Sequence, residues 1–135
     1  MNSKYWLNKI MDTMYHSSTE FWVGLSSTEP TYNGSNITEP TDGGYSRVQI
    51  TSFSDAADGC VYNVNPIHFP VSTDVWFGSE NRARYWVIFD GNLAISQMLS
   101  YGPLNNPTVI NNNTMASISE RALKITLSNN SDDIS

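Results

Sequence analysis

The two histidines are the side chains from which a search for metal or acid–base chemistry begins. His16 and His68 both stand beside apolar runs, and neither has a second ligand at the spacing of a common metal motif. Asp55 and Asp58 could offer oxygens to calcium, but their spacing matches no known calcium loop, and a turn is the simpler interpretation. We therefore predict structural histidines, no metal site and no cofactor.

Paired carboxylates are the second group that could do chemistry, because two of them flanking a glycosidic bond can hydrolyse it. The candidates are Glu20, Glu29, Glu39, Glu80, Asp90 and Glu120. Nearly all stand at turns or at the ends of predicted elements, where a solvated or capping carboxylate is the ordinary case. The chain has no Gly-rich phosphate loop and no Gly-x-Ser-x-Gly turn. We predict no catalytic residues and no enzymatic activity.

Aromatic residues near the loops are better candidates, since a flat ring can stack on a sugar while amides bond to its hydroxyl groups. The rings in question are Tyr32, Tyr45, Tyr62, Trp76 and Tyr101, and many Asn and Ser residues stand nearby. Tyr and Trp are also enriched at protein interfaces, so the sequence leaves both alternatives open. For an outward face with possible glycan or receptor contacts, we select Tyr32, Asn33, Tyr45 and Trp76.

The composition excludes several other functions. The chain has 135 residues, a length that suits one domain, and its net charge of −6 disfavours a nucleic-acid partner. No apolar run approaches the length of a membrane span or of a signal peptide, so we predict no membrane association. The single cysteine, Cys60, lies in a strand-like run, where a buried free thiol is expected rather than a nucleophile.

The N-terminal segment predicts an amphipathic helix over residues 3–15, with Ser3 as its N-cap. Its apolar residues recur at the i, i+3, i+4, i+7 spacing of one helix face. Those that we select for docking are Trp6, Leu7, Ile10, Met11 and Met14. An isolated helix of this length is marginal in water, so the stripe must pack on its own sheet or on a neighbouring subunit.

The segment 82–102 predicts the central hairpin of a sheet. Large apolar and β-branched residues alternate up to Phe89, Asp90-Gly91 is a turn, and both faces are apolar near the end of the first strand. We expect a return strand from Leu93 to Tyr101 with a bulge near residues 96–97, ended by Gly102 and Pro103.

Short strands and frequent turns fill the rest of the chain. The predicted strands are 20–26, 45–51, 60–64, 67–69 (closed by Pro70), 74–78, 108–110, 115–118 and 122–127. Residues 31–44 form a long loop of turn-forming residues. With one terminal helix and no strand–helix alternation, the pattern indicates an antiparallel β-sandwich of the jelly-roll kind. We expect one domain over residues 1–128 and a polar C-terminal tail over residues 129–135.

Several segments, in order, give the chain a family resemblance. The longest runs Thr-Glu-Pro, then Gly-Gly-Tyr-x-Arg-Val, at residues 38–48. The others are 5–11, 22–30, 67–70, 88–90, 101–104, 109–111 and 122–127. Together they resemble a family of small bacteriophage virion proteins that are often labelled tail fibre proteins.

The resemblance implies a non-enzymatic virion component with a β-sandwich fold, and it supplies no catalytic residues. We therefore predict a homo-oligomer, most simply a trimer, that is assembled in the host cytoplasm and docks on other virion proteins of the tail or the capsid. Outward loops are expected to contact the host surface. The alternative from another class is a carbohydrate-binding module that acts independently of a virion.

Overall fold

The computed structural model describes residues 3–16, 20–78 and 81–126. The predicted tail 129–135, Leu127 and Glu80 lie outside these residues. The chain begins with helix α1 (Lys4–Tyr15). The strands that follow are β1 (Phe21–Ser26), β2 (Val48–Ile50), β3 (Cys60–Tyr62), β4 (Ile67–Val71), β5 (Ala83–Phe89), β6 (Met98–Thr108), β7 (Met115–Ile118) and β8 (Lys124–Thr126).

The strands pair only in antiparallel fashion among the described residues. A four-stranded sheet has the order β2-β1-β5-β6, and two ribbons, β3-β8 and β4-β7, accompany it. A mainly-β fold with antiparallel sheets and one N-terminal helix is what the sequence predicts, and the structure confirms it.

The core lies on one face of the four-stranded sheet. Alternate residues of a strand point to opposite faces, so Phe21, Val23 and Leu25 of β1 face the same way, as predicted. They share one apolar cluster with residues of both ribbons, among them Phe69 and Ile125. The ribbons therefore form the second layer of a sandwich. Cys60 is free and buried, as the sequence predicts.

Strand β5 is central, as predicted, because β1 and β6 flank it and its last four residues are buried. The predicted return strand is wrong in its bounds. The connection is a loop closed by Asp90 N–H to Gln97 O at 3.0 Å, and β6 then continues through Gly102 and Pro103. Gly102 is needed because the ring of Trp86 lies over it, and Pro103 is tolerated because β6 is an edge strand.

Three further predictions differ from the structure. Pro70 lies within β4 rather than after it, at a register shift that accommodates a residue with no N–H. Residues 74–78 form no strand, because Trp76 turns inward. The predicted bulge at residues 96–97 falls later, between the partners of Ile88 and Phe89, where Leu99 is the extra residue.

Helix α1 begins as predicted, with Ser3 Oγ accepting the N–H of Trp6 at 3.2 Å. It has 12 residues. Within the described part of the chain, no helix combines the length and the hydrophobicity that crossing a bilayer requires.

Candidate functional site

The inner face of α1 packs against the protein's own domain. Met11 is 1% exposed, and Tyr15 stacks on Phe21 with ring centroids 5.1 Å apart. The ring of Phe53 meets the ring of Tyr15 edge-on, with centroids 5.0 Å apart. The prediction that Met11 docks on a neighbouring protein is therefore wrong, because its side chain is enclosed within its own domain.

Polar contacts fix the helix on the segment 53–60. Asn8 Oδ1 accepts the N–H of Gly59 at 2.6 Å, and Asp12 Oδ1 accepts the N–H of Ala56 at 2.7 Å. An exposed ion pair joins Lys4 to Asp58 at 2.7 Å. The exposed ion pair contributes little to stability. The two hydrogen bonds to backbone N–H groups set the rotation of the helix about its axis.

The rotation leaves part of the apolar stripe at the surface. Trp6 is 49% exposed and Met14 46%, and Ile10 between them is half-buried. These residues are spaced four apart, so they line one side of the helix. Leu7, also half-buried, lies at the border with the inner face. The apolar stripe is thus wider than the buried inner face, and its partly exposed side is the "helix stripe" of Trp6, Ile10 and Met14.

Two of the residues selected for an outward face are exposed and two are not. Tyr32 is 95% exposed, and Asn33 beside it is exposed in the same turn. Trp76 is 1% exposed, and its Nε1 donates to the carbonyl oxygen of Gly43 at 2.9 Å. The prediction of Trp76 as an outward contact is therefore wrong: its ring fills the space that Gly43 leaves by having no side chain.

Tyr45 also turns inward. Its ring meets that of Trp76 edge-on at 5.2 Å, and its hydroxyl donates to Glu39 Oε2 at 2.5 Å while accepting the N–H of Leu25 at 3.1 Å. Burial, followed by the Glu39 carboxylate, raises the pKa of Tyr45. The hydroxyl satisfies an edge N–H of β1 beyond the point where β2 stops pairing. Tyr45 is thus half-buried with its hydroxyl engaged inside the protein, and its role as a glycan contact stays a prediction.

Arg47 holds the long loop on the outer face of the four-stranded sheet. Its guanidinium binds both carboxylate oxygens of Glu39, at 2.7 and 3.0 Å, and the carbonyl oxygens of Gly91 and Leu93 at 3.1 and 3.0 Å. The same group lies 3.5 Å from the ring centroid of Phe89. Glu39 and Arg47, both in the sequence motif at residues 38–48, therefore hold the structure together.

Two apolar residues lie at the surface where the sequence does not predict them. Leu93 is 66% exposed and Ile95 83%, in the loop between β5 and β6. They line a shallow groove of about 430 Å³ together with Trp22 and Glu20. The sequence predicts both residues in a strand, and their exposure was therefore not expected. The polar residues around them, such as Asn92, are the signal for a loop.

A second group missed from the sequence lies at the end of α1. One carboxylate oxygen of Asp12, one of Asp55 and a ring nitrogen of His16 lie within 4.8 Å of one another. The prediction that His16 lacks a second ligand at metal spacing is wrong, because Asp12 stands four residues before it on the same helix face. The other histidine, His68, has Ser117 Oγ 2.8 Å from its Nδ1.

Comparison with family models matches residues 1–126 to a family described as "Podophage GP4 fiber I protein gp80". The match extends from the helix to the end of β8, the last of the described strands. No curated protein matches the chain.

Proposed function

Because the chain belongs to the podophage fibre I family, a family of virion structural components, we propose that it assembles as a homo-oligomer through the helix stripe. Trp6, Ile10 and Met14 are the contact residues in this proposal. The observation that carries it is the mismatch between a wide apolar stripe and a narrower contact within the domain.

The size of the exposed apolar surface supports this role. Half of a tryptophan side chain is on the order of 100 Å², and its burial contributes about 2–3 kcal/mol for each copy. Homo-oligomers generally close with cyclic symmetry, and we propose a trimer. The assembled protein then docks on other proteins of the phage tail.

The turn that carries Tyr32 and Asn33 suits contact with the host surface. Helix α1 packs on β3, in the second layer, whereas this turn belongs to the loop that covers the outer face of the four-stranded sheet. One subunit could therefore assemble through one layer and present the exposed Tyr32 ring from the other. A glycan is the ligand class that a flat ring beside amides fits.

Light scattering on the purified full chain tests the assembly. We expect the mass of an oligomer. We expect Ile10→Asp to raise the dissociation constant of that oligomer by more than 100-fold, because the interface then buries an unpaired charge. Thr13→Asp introduces the same residue at an exposed position of the same helix, and it should leave the mass unchanged. A wild-type monomer throughout the micromolar range would reject this role for the helix stripe.

Glycan binding is tested separately, with an array of bacterial surface glycans. Tyr32→Ala should abolish the signal, while Tyr5→Ala, at a tyrosine of α1 that is 71% exposed, should retain it. Binding by a monomeric form, lost with Tyr32→Ala, would favour the carbohydrate-binding module over the fibre subunit. Equal binding by both variants would exclude Tyr32 as a contact.

A further inference from the structure

The end of helix α1 brings together three side chains that commonly bind metals. Asp12 and His16 stand four residues apart, so one face of the helix presents both. Asp55 approaches from the segment on which the helix rests, and the three ligand atoms lie within 4.8 Å of one another. Asp12 is half-buried, while His16 and Asp55 are exposed.

The ring of His16 has a defined orientation. Its Nε2 lies 3.1 Å from the carbonyl oxygen of Phe53. Its Nδ1 lies 3.2 Å from the carbonyl oxygen of Asp12 and 3.6 Å from Asp12 Oδ1. An ion bound at Nδ1 takes the place of a hydrogen there and leaves Nε2 to donate to Phe53. Metal-bound histidines usually have the same arrangement, with the other ring N–H donated to a carbonyl.

The surroundings favour a positive ion at this point. The last turn of a helix presents the partial negative charge of its carbonyl groups. Lys4 is engaged by Asp58 and Arg47 by Glu39, and among the described residues no Lys or Arg pairs with Asp12 or Asp55.

From these contacts we propose that Asp12, His16 and Asp55 bind a divalent first-row transition metal ion, with Zn²⁺ and Mn²⁺ as the ions to test. Two carboxylates and one imidazole suit such ions, whereas calcium and magnesium prefer oxygen ligands alone. Ligand atoms around tetrahedral zinc stand about 3.4 Å apart. The distance from His16 Nδ1 to Asp12 Oδ1 is 3.6 Å. The ion ties the last turn of α1 to the segment beneath it.

Thermal unfolding of the untagged full chain, first freed of metal with a chelator, tests the site. We expect saturating Zn²⁺ or Mn²⁺ to raise Tm by about 5–10 °C, through binding to the folded state alone. Calorimetry should give one ion per chain. The Asp55→Asn variant should show no rise in Tm with metal. It should still fold, because Asp55 is exposed and asparagine has nearly the same shape. The His16→Gln variant should show no rise in Tm either.

His68→Gln is the matched control, since His68 is exposed and far from this cluster in the chain, and it should keep the full response. A response that survived both Asp55→Asn and His16→Gln would overturn the proposal, because the ion would then bind elsewhere. The absence of any rise in Tm with either ion would also overturn it.

Discussion

At the scale of single residues, Arg47 holds the loop 31–44 on the outer face of the four-stranded sheet. Four hydrogen bonds join its guanidinium to a carboxylate and two carbonyl groups, and its flat face lies on Phe89. The side chain is only 10% exposed and that of its partner Glu39 19%. An ion pair with so little solvent access is costly to break, because the remaining charge loses its partner.

We expect Arg47→Met to lower the free energy of unfolding by about 3 kcal/mol, since it leaves the Glu39 carboxylate unpaired and half-buried. Urea denaturation measures the difference. The control is Arg84→Met, which removes an exposed arginine from β5 and should change stability by less than about 0.5 kcal/mol. Equal losses for the two variants would contradict this role for Arg47.

Tyr45 gives the protein a pH dependence in the alkaline range. Burial and the Glu39 carboxylate raise its pKa, with Arg47 acting in the opposite direction. Above about pH 10 the unfolded chain loses a proton that the folded chain keeps. The contribution of Tyr45 to the free energy of unfolding is therefore fully present below that pH. Above it, the free energy of unfolding falls by about 1.4 kcal/mol per pH unit.

We expect Tyr45→Phe to remove this part of the slope in urea denaturation between pH 9 and pH 11. The variant should also be less stable at pH 8, by about 1–2 kcal/mol, because the N–H of Leu25 loses its acceptor. A smaller slope should remain, since burial also raises the pKa of Tyr15. Tyr32→Phe is the control, and an unchanged slope in Tyr45→Phe would refute the assignment.

The sequence indicated which residues are aromatic and near loops, but not which way they face. Tyr32 and Trp76 stand in similar polar contexts, and one is 95% exposed while the other is 1% exposed. The difference arises from Gly43, 33 residues away in the chain, whose carbonyl oxygen receives the indole N–H. Contacts of such long range leave no local pattern.

At the scale of elements, the helix was predictable and the hairpin return was not. Helical periodicity and the Ser3 cap are local signals, so the bounds of α1 follow from the sequence. Gly102-Pro103 normally ends a strand, yet β6 runs through both residues. The reason is tertiary packing: the ring of Trp86 on β5 occupies the place of a side chain at position 102.

This packing makes Gly102→Ala a sharp test of the β5-β6 pairing. The added methyl group overlaps the Trp86 ring, and we expect a loss of about 1–3 kcal/mol in urea denaturation. Pro103→Ala, at the next and exposed position of the same strand, should stay within about 0.5 kcal/mol of the wild type. A neutral Gly102→Ala would show that Trp86 does not lie over the strand.

At the scale of the whole molecule, two layers separate two kinds of surface. Helix α1 contacts β3 in the second layer, and Tyr32 belongs to the loop 31–44, whose Glu39 is held on the outer face of the first layer by Arg47. The sequence predicted the fold class and the family, because periodicity and ordered motifs are properties of the chain itself. It could not show how much of the helix face the domain covers, since Met11 and Trp6 are equally apolar in the pattern.

Cross-linking through a single introduced cysteine tests the assembly surface most directly. Native Cys60 is buried and should not react, so Ile10→Cys places one reactive thiol on the helix stripe and Tyr32→Cys places one on the outer turn. With a short bismaleimide, we expect covalently linked chains from Ile10→Cys and none from Tyr32→Cys or the wild type. Equal yields from the two variants, or no linked chains from Ile10→Cys, would contradict assembly through the helix stripe.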